Sequence, residues 1–255
     1  FADNFTLSGT VKDINGNTID ATVSLSPSAS SSVTDGSGFY NISGISTGTY
    51  NIEVVPDVGS SFGTAIASNY EISSDTAVNF ILVPPDQVRI DGHLIDASNN
   101  PLPNQQVTLN LASGGVVGTV STNSLGEYSF VTSAGSYNLS ISGNNGGGTL
   151  EVPEVYSFTL PNSSYSQSVY RDITVNASEV SIHVENSSGQ DIGGVNLKTT
   201  GGNVGQHNLP IGGGTTVFGL NSYQSTGVTT DSSGDATMWL FPGITNTYTI
   251  VANPP

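Results

Sequence analysis

The chain has 255 residues, with twenty acidic and four basic side chains, a formal net charge of −16, 9% charged residues and no cysteine. Four basic residues cannot line a groove for nucleic acid, and the lack of cysteine excludes disulfides, thiol chemistry and thiolate metal sites. No apolar run reaches the roughly 18 residues that span a membrane. Abundant Gly, Ser, Thr and Asn, with short β-branched runs, predict an all-β protein with almost no helix.

The first part of the chain is predicted to form a small β-domain over residues 1–85. Phe5, Leu7 and Val11 alternate on one face of an opening strand. A double proline, Pro84-Pro85, cannot continue a strand ladder and marks the domain boundary. Further strands are predicted at residues 21–25, 39–42, 48–55 and 77–83.

A corner motif then recurs along the chain at Thr34-Asp35, Thr122-Asn123 and Thr230-Asp231, each time with a Gly four residues after the Thr. Asp or Asn can bond the backbone two residues on, and Gly supplies the positive φ that tight turns often need. The motif predicts a strand–turn–strand corner in three similar domains. These repeats, called first, second and third below, are predicted to cover residues 1–85, 86–177 and 178–255.

The third repeat departs from the other two. Between its second strand and its corner motif it carries an insertion, residues 198–229, with an apolar piece at residues 215–220. The sequence given ends soon after Tyr248-Thr249-Ile250-Val251, which corresponds to the strand that begins at Gly48. The third repeat is therefore predicted to lack a closing strand.

The pattern of the first repeat resembles a known family. The matching residues are Gly9-Thr10-Val11, Asp13, Gly16, Val23, Leu25, Thr34-Asp35, Gly38-Phe39-Tyr40 and Gly48-Thr49-Tyr50. They resemble the carboxypeptidase-regulatory-like, transthyretin-like domain, which is related to the B-type repeats of bacterial surface proteins. The resemblance implies a tandem array of three small Ig-like Greek-key β-sandwiches of about seven strands each. It implies a spacer or binding accessory, since such a fold defines no activity. The third repeat has Ala236 where the family pattern has an aromatic residue.

A sandwich without its closing strand exposes an unpaired edge and an apolar groove, which a neighbouring strand can fill. We therefore predict a non-enzymatic extracellular structural protein, a surface-filament subunit whose partners are copies of itself, joined head-to-tail by β-strand addition. The predicted donor is Phe1–Leu7. Alternatively, residues 215–220 fill the gap within the same chain. The predicted subunit-contact residues are Phe1, Phe5, Leu7, Val217, Phe218, Leu220, Tyr248 and Ile250.

Enzymatic chemistry is not predicted. The three histidines, His93, His183 and His207, show no convergence with a nucleophile, and no spacing selects a glycosidase pair among the carboxylates. No cofactor is expected. Residues 13–17 and 231–235 group oxygen ligands as Ca²⁺ requires, yet both sequences are more typical of Asx turns.

The alternative function is a carbohydrate-binding module or an adhesin stalk, in which Trp239, Tyr223 or Tyr165 would stack on sugars and glycans would be the partners. The chain begins at Phe1 rather than Met, which predicts either a removed leader or a sequence that starts inside a longer product. Together with the acidic, Lys-poor composition rich in Thr, Ser and Asn, a removed leader predicts an exported protein at the cell surface. Glycosylation is then a further candidate modification. The acceptor sequons are at Asn4, Asn41, Asn138, Asn162, Asn176 and Asn186, with Asn162 and Asn186 favoured by their turn-like settings.

Overall fold

The protein is all-β, as its sequence predicts. The computed structural model describes residues 4–144, 150–200, 202–209, 215–241 and 248–255, and within these ranges it contains no helix, so none that could cross a membrane. The strands are β1 (Phe5–Asp13), β2 (Ala21–Ser26), β3 (Ser30–Val33), β4 (Phe39–Ile45), β5 (Gly48–Pro56), β6 (Ala65–Ile72), β7 (Thr76–Ala77), β8 (Phe80–Leu82), β9 (Gln87–Asp96), β10 (Gln106–Leu111), β11 (Val116–Ser121), β12 (Glu127–Ser133), β13 (Gly135–Asn144), β14 (Val155–Thr159), β15 (Ser163–Tyr165), β16 (Ser168–Tyr170), β17 (Ile173–Val175), β18 (Ser178–His183), β19 (Asn196–Thr200), β20 (Gly202–Leu209), β21 (Thr215–Tyr223), β22 (Val228–Thr229), β23 (Asp235–Leu240) and β24 (Thr249–Asn253).

The first repeat is built from two sheets. In one, β1 lies between antiparallel β4 and the parallel strands β7 and β8. In the other, the strand order is β3-β2-β5-β6, and all its neighbours are antiparallel. Alternate residues of both sheets point inward, because successive side chains of a strand face opposite sides. The fully buried side chains of this core include Leu7, Leu25, Tyr40, Ile52 and Leu82.

The sheet with the strand order β3-β2-β5-β6 continues into the second repeat through β16. Val169 on β16 pairs in parallel with Ile66 on β6 and with Ile90 on β9. Tyr170 packs into the core of the first repeat, with its ring 6.1 Å from that of Phe80. This strand therefore belongs to the second repeat by sequence and to the first repeat by packing.

The chain divides into two compact units. One contains residues 1–92, 129–137 and 163–172, and the other contains residues 93–128, 138–162 and 173–255. The second repeat is thus divided between both units. The boundaries predicted at residues 85 and 177 stay predictions.

The insertion of the third repeat extends a sheet that begins in the second repeat. The sheet order is β11-β10-β13-β14-β21-β20, and β21 pairs antiparallel with β14 from Val155↔Tyr223 to Thr159↔Phe218. The buried Glu154 precedes β14, and its carboxylate accepts hydrogen bonds from the Ser225 hydroxyl at 2.6 Å and the Thr226 amide at 3.0 Å. Burial raises the pKa of Glu154, but these bonds outweigh burial and leave that pKa below its ordinary value.

The rest of the third repeat forms two small sheets. β18 pairs with β23, and β19 lies between β22 and β24. Among the described residues, the core cluster of these strands contains four buried apolar side chains, whereas the core cluster of the first repeat contains eighteen. The four are Val195, Leu197, Met238 and Leu240.

Candidate functional site at the open edge of the third repeat

The corner motif of each repeat is fixed by its threonine. The hydroxyl of Thr34 accepts a hydrogen bond from the Ala21 amide at 2.9 Å and donates one to the Ile19 carbonyl at 3.0 Å. Thr122 and Thr230 make the same pair of bonds, at distances from 2.6 to 3.0 Å. The residue after each threonine then closes an Asx turn, as Asp35 does with the amides of residues 37 and 39. The prediction of a recurring corner is confirmed in all three repeats.

A second recurring turn aligns the opening strands. The side chains of Asp13, Asp96 and Asn186 each accept hydrogen bonds from the amides two and four residues later. Counting back from these residues aligns β1, β9 and β18 without a gap. Three inward positions follow in the order of the repeats: Leu7, Ile90 and Val180; Gly9, Gly92 and Ile182; and Val11, Leu94 and Val184.

The opening strand is covered on its closing-strand side in the first two repeats. β7 and β8 lie parallel to β1, with Val11 opposite Phe80. β16 and β17 lie parallel to β9, with Leu94 opposite Ile173. Within the described ranges, β18 has β23 as its one partner. The edge of β18 opposite β23, called the open edge below, is therefore unpaired among the described residues.

The inward side chains of the opening strand are more exposed in the third repeat than in the first two repeats. Leu7 and Val11 are 0% exposed, as are Ile90 and Leu94. The equivalent residues of the third repeat, Val180, Ile182 and Val184, are only half-buried and lie at the rim of the small core. The open edge therefore has an apolar rim, whose exposure to water is unfavourable, beside backbone groups that can pair with another strand.

Ile182 was not among the site residues predicted from the sequence. It occupies the position of Gly9, and its partner across the ladder is Ala236, whereas the partner of Gly9 is Tyr40. The large and small members of this pair are therefore exchanged in the third repeat. Only the Ala236 half of the exchange was visible in the family pattern, because the alignment of β18 depends on recognising Asn186 as the equivalent of Asp13.

Acidic side chains surround His183 at the end of β18. Nδ1 of His183 lies 2.9 Å from Oδ1 of Asp235, and Nε2 lies 3.4 Å from Oδ1 of Asp191. The hydrogen bond with Asp235 raises the pKa of His183, and Coulombic attraction to Asp235, Asp191 and Glu185 adds to the increase. The side chains of His183, Asp191 and Asp235 are between 46% and 61% exposed.

The predicted donor residues are placed within their own fold. Leu7 is fully buried opposite Ile42 and Thr76, and Phe5 is partly buried and packs against the same core. Phe1 lies outside the described residues. A donor strand that included Leu7 would have to leave the core of its own repeat, and this role of Phe1–Leu7 stays a prediction.

The predicted acceptor residues are not brought together at one surface. Val217 and Leu220 are 0% exposed, whereas Phe218 and Ile250 are 41% and 42% exposed. The hydroxyl of Tyr248 bonds with Ser222 and donates to the Phe241 carbonyl, which half-buries this ring. The alternative in which residues 215–220 fill the gap is wrong, because β21 pairs with β14 and β20 rather than with β18.

The aromatic residues predicted to stack on sugars are buried or half-buried. Tyr165 is 4% exposed with its ring 6.1 Å from that of Tyr137, which corrects its assignment as an exposed stacking residue. Trp239 and Tyr223 are half-buried. Among the sequons, the side chains at 4, 41, 162 and 186 are exposed and those at 138 and 176 are half-buried. Glycosylation at any of them stays a prediction.

The Asp carboxylates of the two predicted calcium-binding segments accept hydrogen bonds within their own turns. Asp13 accepts hydrogen bonds from the amides of Asn15 and Asn17 and from the Asn17 side chain, all at 2.8 Å. Asp231 likewise accepts from the amides of residues 233 and 235. In the part of the chain that the structure describes, no three His, Cys, Asp or Glu side chains group as metal ligands. Calcium binding stays an untested prediction.

Comparisons with known proteins find weak structural similarity. No family model and no curated protein matches the chain. The shaft pilin SpaA of Lactobacillus rhamnosus GG, as an E269A mutant, is 16% identical with a TM-score of 0.32 over 67% of this chain and 88% of its own. A streptococcal ancillary pilin is 13% identical with a TM-score of 0.30 over 99% of this chain and 91% of its own.

A mutant cohesin–X-dockerin complex from Acetivibrio cellulolyticus is 19% identical with a TM-score of 0.28, over 32% of this chain. This chain spans 59% of the length of that structure's chain. These scores carry no conclusion about activity or partners. The resemblance to the transthyretin-like family is likewise not confirmed, whereas the all-β fold is evident from the strands themselves.

Proposed function

We propose that the protein is a non-enzymatic structural subunit of an extracellular surface filament, and that the subunits join where a strand of one copy pairs in parallel with the open edge of β18 in the next. The observation that supports this proposal is the unpaired edge of β18 together with the half-buried Val180 and Val184 beside it. The equivalent edges of β1 and β9 are both covered by a parallel strand. A strand from a second copy would supply the same backbone bonds and cover the apolar rim.

A contact of this kind uses different surfaces on the two copies. It therefore does not close on itself unless the rotation between subunits happens to form a ring, and repeated addition gives a filament. The high negative charge of the chain opposes unspecific association of the same subunits.

The backbone groups at the open edge can be removed without changing the ladder between β18 and β23. The amide of Val184 donates to Gly234, which precedes β23. Because successive residues of a strand point their backbone groups to alternate edges, Ser181 presents its amide at the open edge. Ser181→Pro deletes this donor, and Ser181→Ala is the matched control that retains it.

Electron microscopy of the purified full chain tests the proposal. We expect filaments from the parent chain and from Ser181→Ala, and dispersed subunits from Ser181→Pro, with circular dichroism showing an unchanged fold. Filaments from Ser181→Pro, or a parent chain that stays monomeric at all concentrations, would refute the proposed contact. A chain lacking residues 1–4, which leaves Leu7 in place, tests whether the N-terminal segment is the donor.

A further inference from the structure

The closing strands of the first two repeats share a local break. Ser8 pairs with Ala77 and Val11 pairs with Phe80, so β7 and β8 keep one register on β1 while the two residues between them leave the ladder. In the second repeat, Asp91 pairs with Tyr170 and Leu94 pairs with Ile173, so β16 and β17 show the same interruption. The break falls beside Gly9 in one case and beside Gly92 in the other.

In the first repeat, Gly9 and Tyr40 form a socket for one inward carbonyl. The Tyr40 hydroxyl donates a hydrogen bond to the Val78 carbonyl at 2.7 Å. A Cβ added to Gly9 would lie 1.8 Å from that carbonyl oxygen, which is far inside a van der Waals contact. The glycine therefore leaves room for the carbonyl, and the tyrosine satisfies its hydrogen-bonding capacity in a buried site.

The second repeat has the same steric requirement. A Cβ added to Gly92 would lie 1.9 Å from the carbonyl oxygen of Arg171, and the Arg171 amide donates to Asp91 at 2.7 Å. The equivalent bond in the first repeat runs from the Val78 amide to Ser8 at 2.9 Å. Two closing strands of different sequence thus make the same inward turn of the backbone against a glycine.

The third repeat cannot accept this backbone shape. Ile182 places a branched side chain where Gly9 leaves space for the carbonyl, and Ala236 has no hydroxyl to satisfy it. We infer that Ile182 and Ala236 select the strand that completes β18: a strand from a second copy that runs parallel and unbroken past Ile182, with apolar side chains at alternate positions. This inference rests on the proposed function and adds the kind of strand that the contact accepts.

The selection has a consequence for assembly. Every copy of the chain contains two closing strands, residues 76–82 and 168–175, that already fit an edge of this type. If the open edge accepted them, subunits would exchange closing strands and form mispaired aggregates instead of ordered filaments. Ile182 and Ala236 therefore exclude the closing strands of the first two repeats and also favour an unbroken strand.

Peptide binding to the intact chain tests the inference. The probes are a fluorescent peptide of residues 75–83 and a peptide of the same length that alternates Val and Thr, each titrated at a subunit concentration below that of assembly. For the parent chain we expect the alternating peptide to bind more tightly by about tenfold or more, because the other peptide loses the hydrogen bond and the space for its inward carbonyl. The double variant Ile182→Gly, Ala236→Tyr should reverse this preference.

The control is Ser181→Gly, which introduces a glycine into the same strand and leaves Ile182 unchanged, so the preference should stay that of the parent chain. Equal binding of both peptides, with no change in the double variant, would overturn the selection while leaving the open edge as a binding site. Failure of both peptides to bind any variant would instead refute the proposed contact at β18. Circular dichroism of the double variant confirms that it is folded.

Discussion

Replacing Thr34 with valine tests the corner motif directly. Valine has nearly the same shape as threonine, so Thr34→Val removes the hydroxyl without opening a cavity. The hydroxyl is in a side chain that is 8% exposed, and it satisfies both the Ala21 amide and the Ile19 carbonyl. An unsatisfied buried group costs about 1–3 kcal/mol, so the two together should lower the free energy of unfolding of the first repeat by roughly 2–6 kcal/mol.

Hydrogen exchange of the full chain measures this loss at the right place. We expect the Ala21 amide to exchange about 30- to 20,000-fold faster in Thr34→Val, since each 1.4 kcal/mol corresponds to a factor of ten. Thr34→Ser keeps the hydroxyl and loses one methyl group, so its exchange should stay within about tenfold of the parent rate. Equal rates in the valine and serine variants would show that the hydroxyl does not stabilise the corner.

Three further predictions follow from single contacts. The pKa of His183 is raised in the folded protein, so its bond with Asp235 stabilises the fold below the ordinary histidine pKa, and this stabilisation is lost as the pH rises through the folded pKa. An NMR titration should find the pKa of His183 above about 6.5. The variant Asp235→Asn should lower that pKa. The pKa of Glu154 is lowered instead, so its contribution to stability is present above the ordinary carboxyl pKa and is lost as the pH falls through the folded pKa. In urea titrations at neutral pH, Glu154→Gln should lower the free energy of unfolding by about 1–3 kcal/mol. An unchanged free energy of unfolding would contradict the role of the bond between Glu154 and Ser225. Gly38→Ala should destabilise the first repeat by more than about 1 kcal/mol, because φ is +74° and the new Cβ would lie 2.6 Å from the Val11 carbonyl; an unchanged melting temperature would contradict this.

The sequence predicted local structure well, because local structure depends on neighbours in the chain. The Asx turns at Asp35 and Asp231, the glycines that follow them and the alternation through Leu7 all form within a few residues, and all were predicted. Aligning the corner motifs predicted an unpaired edge somewhere in the third repeat, but it did not identify β18 as the strand that carries it.

Long-range pairing could not be predicted in the same way. β16 is a short run, and nothing in Ser168–Tyr170 shows that it pairs with β6 as well as with β9. The apolar residues Val217 and Leu220 would suit any uncovered sheet, so the sequence could not show that β14 is the partner of β21. Ile182 was missed for a related reason, because its meaning depends on Gly9 and Val78 in another repeat.

The exchange at Ile182 and Ala236 also bears on how the third repeat could have diverged from the others. A chain with isoleucine opposite tyrosine would be overfilled at this point, and a chain with glycine opposite alanine would contain a hole, so either single change is costly. Passage from one arrangement to the other therefore crosses a less stable intermediate whichever residue changes first. A repeat that holds both Ile182 and Ala236 therefore faces the same barrier to reversion.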